Sequence, residues 1–290
     1  MGQENKVNGA TVVCGIIGSP IEHTKSPLIH NTLARRLQHN LIYVPLPVDR
    51  EHLEEAIKGA YALHMQGLNV TIPFKSKVIS YLAEMDPAAE KIGAVNTLVR
   101  GENGYKGYNT DMMGLYRALC SEGIVLTKER VIVLGAGGAA RAAAFLCAEK
   151  EAKQVYLLNR TIEKAASLAR EVNQAYGREL VIPLLLTDYQ RLPADKFLAI
   201  QATGVGLYPD TDRAVIEDKE FYDQIHTGYD LIYSPRETRF MTYVKKAGGQ
   251  AYNGLKMLLY QAVMAYELWN QVHVTEKEAA SLYEFVEKQV

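Results

Sequence analysis

Lys75 and Asp111 are the residues of this chain best suited to handling a proton. Lys75 stands in N-V-T-I-P-F-K, just past a predicted strand at Gly67–Ile72 whose exit is set by Pro73. Read as opening a helix, a lysine there opposes the helix dipole, so its placement asks for an acidic partner or a substrate. Asp111 stands in Y-N-T-D. Brought together, an ammonium and a carboxylate can pass a proton to and from a bound oxygen. Read alone, Lys75 is an ordinary exposed lysine and Asp111 a helix N-cap. Amides and hydroxyls accompany them. Asn69 and Thr71 share one strand face by the period of two. Asn96, Thr97, Asn109 and Thr110 flank a predicted β-hairpin whose loop is G-E-N-G. Such a set suits a sugar-like compound with several hydroxyls. Upstream, H-T-K-S-P supplies the hydroxyls of Thr24 and Ser26 at a helix start. Two hydroxyls at the positive end of a helix suit a small carboxylate, while Ser26 alone is equally an N-cap.

A second chemistry is written at Val131–Arg141, V-I-V-L-G-A-G-G-A-A-R. Four apolar residues read as a strand buried on both faces. Gly135, Gly137 and Gly138 make a tight turn, and Ala139 opens a run of good helix formers. The pattern is G-x-G-x-x-A, with Ala140 in place of the third glycine. Strand, glycine turn and helix form the pyrophosphate-binding corner of a Rossmann unit. The next predicted strand ends in Asn159-Arg160-Thr161. A site for NAD usually carries an acid near this position, about 20 residues past the turn, on the ribose 2′-hydroxyl. Arg160 stands there instead, with Lys164 one helical turn on, and a guanidinium suits a 2′-phosphate. NADP is therefore expected over NAD.

These residues sit on an α/β framework. Strands at Thr11–Gly18, Leu41–Val48 and Gly67–Ile72 alternate with helices at Pro27–Gln38, Asp49–Ala62 and one opened by Lys75. The hairpin spans Ala94–Asn109, and a helix capped by Asp111 runs to Cys120. After the glycine turn come strands at Gln154–Leu158, Leu180–Leu185, Leu198–Ala202, Gly228–Ile232 and near Gln250–Asn253, with helices between them. Helices at Gly254–Asn270 and Thr275–Gln289 end the chain. With 290 residues, two domains are expected. A net charge of −1, with acids and bases interspersed, argues against nucleic acid or an anionic membrane as partner. Three dispersed cysteines in no metal spacing predict no metal site and a reduced, cytoplasmic setting. The polar start, M-G-Q-E-N-K-V-N-G-A, carries no apolar signal segment.

Taken in order, G-S-P-I-E-H-T-K-S-P-L-I-H-N, N-V-T-I-P-F-K, G-A-V-N-T, G-Y-N-T-D, G-A-G-G-A-A-R, N-R-T and G-L-K-M-L-L-Y-Q-A resemble the shikimate dehydrogenase family, including its quinate/shikimate branch. The resemblance runs from residue 15 to residue 262. It implies NADP-dependent reduction of 3-dehydroshikimate to shikimate, on the way to chorismate and the aromatic amino acids. It implies a substrate domain of residues 1–112 plus 255–290 and a Rossmann domain of residues 113–254. The last helices would cross back, and the two halves would face one another across a cleft.

Carried over by motif, Thr24 and Ser26 would hold the substrate carboxylate. Asn69, Thr71, Asn96, Asp111, Tyr233 and Gln261 would bind ring hydroxyls or line the site, and Lys75 would be catalytic with Asp111 its partner. Gly135, Ala136, Gly137, Gly138 and Ala139 would cradle the pyrophosphate. Asn159, Arg160 and Thr161, with Lys164, would hold the adenosine phosphate, and Thr203, Leu231, Gly254 and Met257 would lie along the cofactor. The chain departs from the family pattern at Thr24, usually serine; at Gln201, usually asparagine; and at Lys256, commonly glycine. The extra methyl of Thr24 narrows the carboxylate pocket and bears on the choice between shikimate and quinate. Quinate oxidation with NAD or NADP is the alternative activity, and a non-catalytic nucleotide sensor the alternative of another class. Partners beyond small molecules are not expected, and the protein is expected as a monomer or homodimer.

Overall fold

The computed structural model describes residues 7–290, so the first part of the polar N-terminal stretch, residues 1–6, lies outside the described residues. The chain divides into two compact units, Met1–Gly114 with Leu259–Gln289, and Leu115–Leu258. The junctions at Gly114 and Leu258 fall inside helices, a few residues past the expected bounds. The α/β class and the return of the last helices to the first unit are as expected. Among the described residues no helix is long and apolar enough to cross a membrane.

The first unit is built on β1 (Val12–Gly18), α1 (Ser26–Arg36), β2 (Leu41–Pro47), α2 (Leu53–Ala62) and β3 (Gly67–Val70). After these come β4 (Glu84–Met85), α3 (Pro87–Ile92), β5 (Thr97–Arg100), β6 (Tyr105–Tyr108) and α4 (Thr110–Ser121). Its sheet runs β2-β1-β3-β5-β6-β4, with β5 and β6 as the expected hairpin. On one face α2 packs Leu53, Ile57 and Ala60 into a core with Ile17, Leu68 and Val70. Residues one step along β3, Gly67 and Asn69, turn to the opposite face by the period of two. The edge strand β2 is closed to further pairing. The Asn31 side chain occupies both backbone groups of Tyr43, at 2.8 Å to its N–H and 2.9 Å to its carbonyl. Pro45 and Pro47, two and four residues on, have no N–H to offer.

Two expectations fail between β3 and β5. Lys75 does not open a helix. It lies in a turn, and a short 3-10 segment follows at Lys77–Tyr81. The Lys75 carbonyl accepts from the Val95 N–H at 2.7 Å, so it is engaged across the unit rather than within a helical turn. The β-branched Val78 and Ile79 further weaken helix there. Second, α3 was not expected. It is capped by the Asp86 carboxylate, which accepts from the Ala88 N–H, with Pro87 at its start.

The second unit carries β7 (Arg130–Leu134), α5 (Gly138–Glu149), β8 (Gln154–Asn159), α6 (Ile162–Tyr176), β9 (Val181–Leu185) and β10 (Phe197–Gln201). Then follow β11 (Ile225–Asp230), α7 (Arg239–Lys246) and β12 (Gln250–Tyr252). The sheet, β12-β11-β10-β7-β8-β9, is parallel throughout. Val131–Leu134 are wholly buried, as a strand covered on both faces requires. The connections after β9 and β10 hold only 3-10 segments, at Leu186–Arg191 and Lys219–Gln224, where full helices were expected. Cys14 and Cys147 are buried, and burial pushes both thiols up to about 12, so they act as packing residues.

The helices α8 (Leu255–Asn270) and α9 (Glu276–Glu287) end the chain. Trp269 anchors α8 to the first sheet. Its Nε1–H donates to the Leu98 carbonyl at 2.8 Å, and the indole fills the space over Gly67. A Cβ built at Gly67 would stand 2.0 Å from Trp269 Nε1. The ring is rigid and hydrogen-bonded, so it cannot yield without moving α8. Gly67→Ala is therefore expected to lower stability by about 1–3 kcal/mol, the usual cost of overpacking a core. Urea unfolding checks this, and an unchanged midpoint would remove the wedge from the account.

Candidate active site

In the first unit the expected residues gather at the C-terminal ends of β1 and β3 and the start of α4. Lys75 Nζ donates to Asp111 Oδ2 at 2.7 Å, with side chains 21% and 10% exposed, so the pair is shielded yet reachable. Asp111 is not the N-cap the sequence suggested. The cap is the Asn109 side chain, whose Oδ1 accepts from the Met112 N–H at 3.2 Å. Asp111 lies within the first turn, where the helix dipole favours an anion. Its carboxylate is thereby left to face Lys75.

The other carboxylate oxygen accepts from Asn96 Nδ2 at 2.9 Å. The second Nδ2 hydrogen goes to Thr110 Oγ1 at 3.0 Å. Asn96 Oδ1 accepts from the Thr110 N–H at 2.7 Å and from Thr97 Oγ1 at 3.1 Å. Both amide hydrogens of Asn96 are thus committed within the protein, and the side chain acts here as a brace for Asp111. Thr97 and Thr110, wholly buried, complete that brace. Their types were noticed in the sequence, but their role depends on a strand end and a helix start meeting.

Asn69 is similarly engaged. Its Nδ2 donates to the Asn96 carbonyl at 3.2 Å and to Thr97 Oγ1 at 3.1 Å. Its Oδ1 accepts from the Tyr43 hydroxyl at 2.7 Å and keeps one lone pair. Thr71 is two residues on, its backbone N–H held by the Ile17 carbonyl. Ser26 is the first residue of α1 and makes no capping bond. Its Oγ accepts instead from Thr24 Oγ1 at 3.2 Å, so the two hydroxyls stand side by side at the helix start. Gln261, on α8, lies against α4, where a Cβ on Gly114 would meet its backbone N at 2.8 Å. Glycine at 114 lets the two helices approach that closely. Tyr233 is not in this group, since it belongs to the second unit, beyond β11.

Sequence reasoning missed the support beneath Asn69. Tyr43 is stacked on His30, with centroids 4.2 Å apart and planes at 16°. His30 is wholly buried and neither ring nitrogen has a hydrogen-bond partner among the described residues. Burial drives its pKa down to about 3, with the Asn69 amide nearby pulling weakly the other way. A histidine on an amphipathic helix gives no sign of this. Below pH 6.5 the unfolded chain takes up a proton that the folded chain refuses, so His30 costs stability as pH falls from 6.5 toward 3. His30→Phe should therefore gain on the wild-type protein as the pH is lowered from about 7 to about 4. Urea unfolding across that range checks it, and a constant offset would count against a buried neutral His30.

In the second unit the glycine turn follows β7 as expected. Gly135 adopts φ +112°, a left-handed conformation that favours glycine, and a Cβ there would press on the Ala202 carbonyl and Thr203 Cγ2. Gly137 is the N-cap of α5 and has nothing within 4 Å of a built Cβ. No protein atom requires glycine at 137, and no side chain caps the first turn of α5. An open, uncapped helix N-terminus beside a strand end is what a pyrophosphate needs. Arg160 and Lys164 are exposed and carry no ion pair among the described residues, while Asn159 Nδ2 donates to the Thr161 carbonyl at 2.8 Å. These residues fit a dinucleotide with a 2′-phosphate. Beyond β11, the Gly254 N–H donates to the Ile232 carbonyl at 2.9 Å, and Met257 is the third residue of α8. Lys256, the departure in that motif, pairs with Glu122 at 2.5 Å, so its charge is matched within the second unit.

Two family profiles match the chain: "Shikimate dehydrogenase substrate binding domain" over residues 16–98 and "Shikimate / quinate 5-dehydrogenase" over residues 119–204. Shikimate dehydrogenase (NADP(+)) of Desulforamulus reducens is 40% identical over 266 residues, covering 91% of both chains. Among solved structures, shikimate 5-dehydrogenase of Thermus thermophilus, in complex with NADP(H) and shikimate, is 30% identical with TM-score 0.82. That match covers 95% of this chain and 99% of the other. The enzyme of Listeria monocytogenes, in complex with shikimate and NAD, is 28% identical with TM-score 0.88, covering 97% and 98%.

Proposed function

The chain belongs to the shikimate dehydrogenase family, and from that premise we propose that it catalyses the reversible, NADP-dependent reduction of 3-dehydroshikimate to shikimate. The observation that carries this reading is the Lys75–Asp111 pair at 2.7 Å, braced by Asn96. An ammonium held by a carboxylate beside neutral amides and hydroxyls suits a carbonyl that becomes an alcohol. Reduced NADP, when bound, supplies the hydride.

The chain's own residues do the rest. Ser26 donates its hydroxyl hydrogen to the substrate carboxylate at the start of α1, and Thr24 does so once its hydroxyl turns from Ser26 Oγ. Asn69, through its remaining Oδ1 lone pair, accepts from a ring hydroxyl. Thr71 and Gln261 add further polar contacts. Lys75 keeps two N–H bonds beyond the one given to Asp111. One of these meets the carbonyl oxygen, stabilises the charge that develops there and delivers the proton from Nζ. Asp111 orients Lys75 and accepts from a neighbouring ring hydroxyl. For the cofactor, Gly135–Ala139 and the α5 N-terminus hold the pyrophosphate. Arg160, with Asn159, Thr161 and Lys164, holds the 2′-phosphate. Thr203, Leu231, Gly254 and Met257 line the remainder. A small-molecule substrate in a compartment that keeps thiols reduced, the cytoplasm, fits the three unpaired cysteines.

The charge on oxygen exists only in the transition state, so Lys75→Ala should lower kcat by orders of magnitude and raise the KM for shikimate far less. Full kcat in that variant would end the role of Lys75. Arg160→Ala should lose affinity for NADP and leave NAD use nearly as it was. Rates with shikimate and quinate, each with NADP and NAD, test the whole reading. The highest kcat/KM is expected for shikimate with NADP. A preference for quinate would reassign the substrate, and equal losses with both cofactors in Arg160→Ala would discount 2′-phosphate recognition.

A further inference from the structure

Gln201 ends β10 and Asp230 ends β11, neighbouring strands whose register sets the two residues side by side. Both are wholly buried. Asp230 has no cation beside it among the described residues. It is held by neutral donors instead: the Ile232 N–H at 2.9 Å and Gln201 Nε2 at 3.3 Å on Oδ1, and the Thr238 hydroxyl at 2.6 Å on Oδ2. Burial pushes its carboxyl up to about 7 against those three bonds. A buried carboxyl without a counter-ion is poor material for stability alone, since an apolar side chain would fill the same space without the desolvation cost.

What the pair accomplishes lies at the far ends of its hydrogen bonds, which fall on the loops facing the glycine turn and the start of α8. Gln201 Oε1 accepts from the Thr203 N–H at 2.5 Å, and its Nε2 donates to the Val205 carbonyl at 3.1 Å. Those bonds shape the loop leaving β10. That loop rests on the glycine turn, where Ala202 and Thr203 stand 3.1 and 3.0 Å from a Cβ built on Gly135. Asp230 fixes the Ile232 N–H, and the Ile232 carbonyl in turn accepts from the Gly254 N–H at 2.9 Å. The Leu231 carbonyl lies 2.2 Å from a Cβ built on Gly254, so that glycine and that carbonyl are in closest contact. Thr238 extends the network by capping α7 through the Met241 N–H. One buried pair therefore sets the backbone beside Gly135 and beside Gly254.

We propose that Gln201 and Asp230 are positioning residues for NADP: they hold the Thr203–Val205 and Leu231–Ile232 backbones against Gly135 and Gly254, and so govern cofactor affinity without touching the cofactor. This rests on the reading of the second unit as the NADP-binding one. It also gives the glutamine at 201 a purpose. An asparagine there can still accept from the N–H two residues on, as in an Asx turn, but is one methylene short of Asp230.

The test uses the full chain and reads NADP+ binding by calorimetry, KM for NADP+ and for shikimate, kcat and melting temperature. Gln201→Leu should weaken NADP+ binding by about ten-fold, the loss of more than one hydrogen bond. The KM for shikimate and kcat at saturating cofactor should stay within about two-fold, a split that a merely structural role does not produce. Asp230→Leu should act in the same direction, and the double variant should lose less than the sum of the two single ones, because the Gln201–Asp230 bond is common to both. Asp230→Asn, whose Oδ1 still accepts from the Ile232 N–H and Gln201 Nε2 while its Nδ2 can only donate to Thr238 Oγ1, should bind NADP+ better than Asp230→Leu. Gln201→Asn should fall between wild type and Gln201→Leu, and it carries the test should the leucine variants not fold. Wild-type NADP+ affinity in Gln201→Leu or, failing that, in Gln201→Asn would overturn the proposal. So would losses shared equally with shikimate. Failure of the underlying reading would look different, as absence of NADP+ binding by the wild-type protein.

Discussion

A buried amide must place both of its hydrogens and its oxygen, and Asn96 shows how much a site can be made to depend on that requirement. Its hydrogens go to Thr110 and Asp111, and its oxygen takes the Thr110 N–H and the Thr97 hydroxyl. Were any one partner displaced, a polar group would be stranded away from water at a cost of about 1–3 kcal/mol. The strand end that carries Asn96 and the helix start that carries Asp111 are thus tied to one another. The position of Lys75 follows, because its ammonium meets the carboxylate that Asn96 holds. The geometry of the two charged groups is thus dictated by neutral ones.

The two units meet the same problem at their strand ends with different means. In the first, side-chain amides and hydroxyls satisfy one another, and aromatic rings from α1, β2 and α8 back them: His30 on Tyr43, with Trp269 tilted against both. In the second, the α5 N-terminus presents backbone N–H groups that no side chain caps, and the Gln201 and Asp230 side chains bond the backbone of the loops after β10 and β11. Glycine is needed in both for close approach. At Gly67 the neighbour is an indole, and at Gly135 it is another loop. Gly137, by contrast, has an open side, where a missing Cβ leaves room for something outside the protein.

Much of this was legible in the sequence. Val131–Arg141 declared its strand, turn and helix, and the G-E-N-G hairpin formed where its turn residues placed it. Lys75 was marked as a residue in need of an acid. Other signals misled because local rules compete. Asp111 looked like an N-cap, but Asn109 took that place and left the carboxylate to Lys75 and Asn96. Ser26 looked like a cap and is instead paired with Thr24. The helix expected from Lys75 gave way because the Lys75 carbonyl is taken by Val95. Lys256 and Gln201 were unexplained departures until Glu122 and Asp230 were seen beside them.

By itself the sequence determined the α/β class, the dinucleotide turn and the inventory of groups able to do chemistry. Those depend on residue type and on periods of a few residues, which the chain carries locally. Only the tertiary structure decided which acid answers Lys75, which amide braces that acid, and which buried residues stand behind the site. Asp111 is 36 residues from Lys75, and Asp230 is 29 from Gln201. Separations of that size are closed by sheet register and by burial, which leave no trace in the spacing of the residues they bring together.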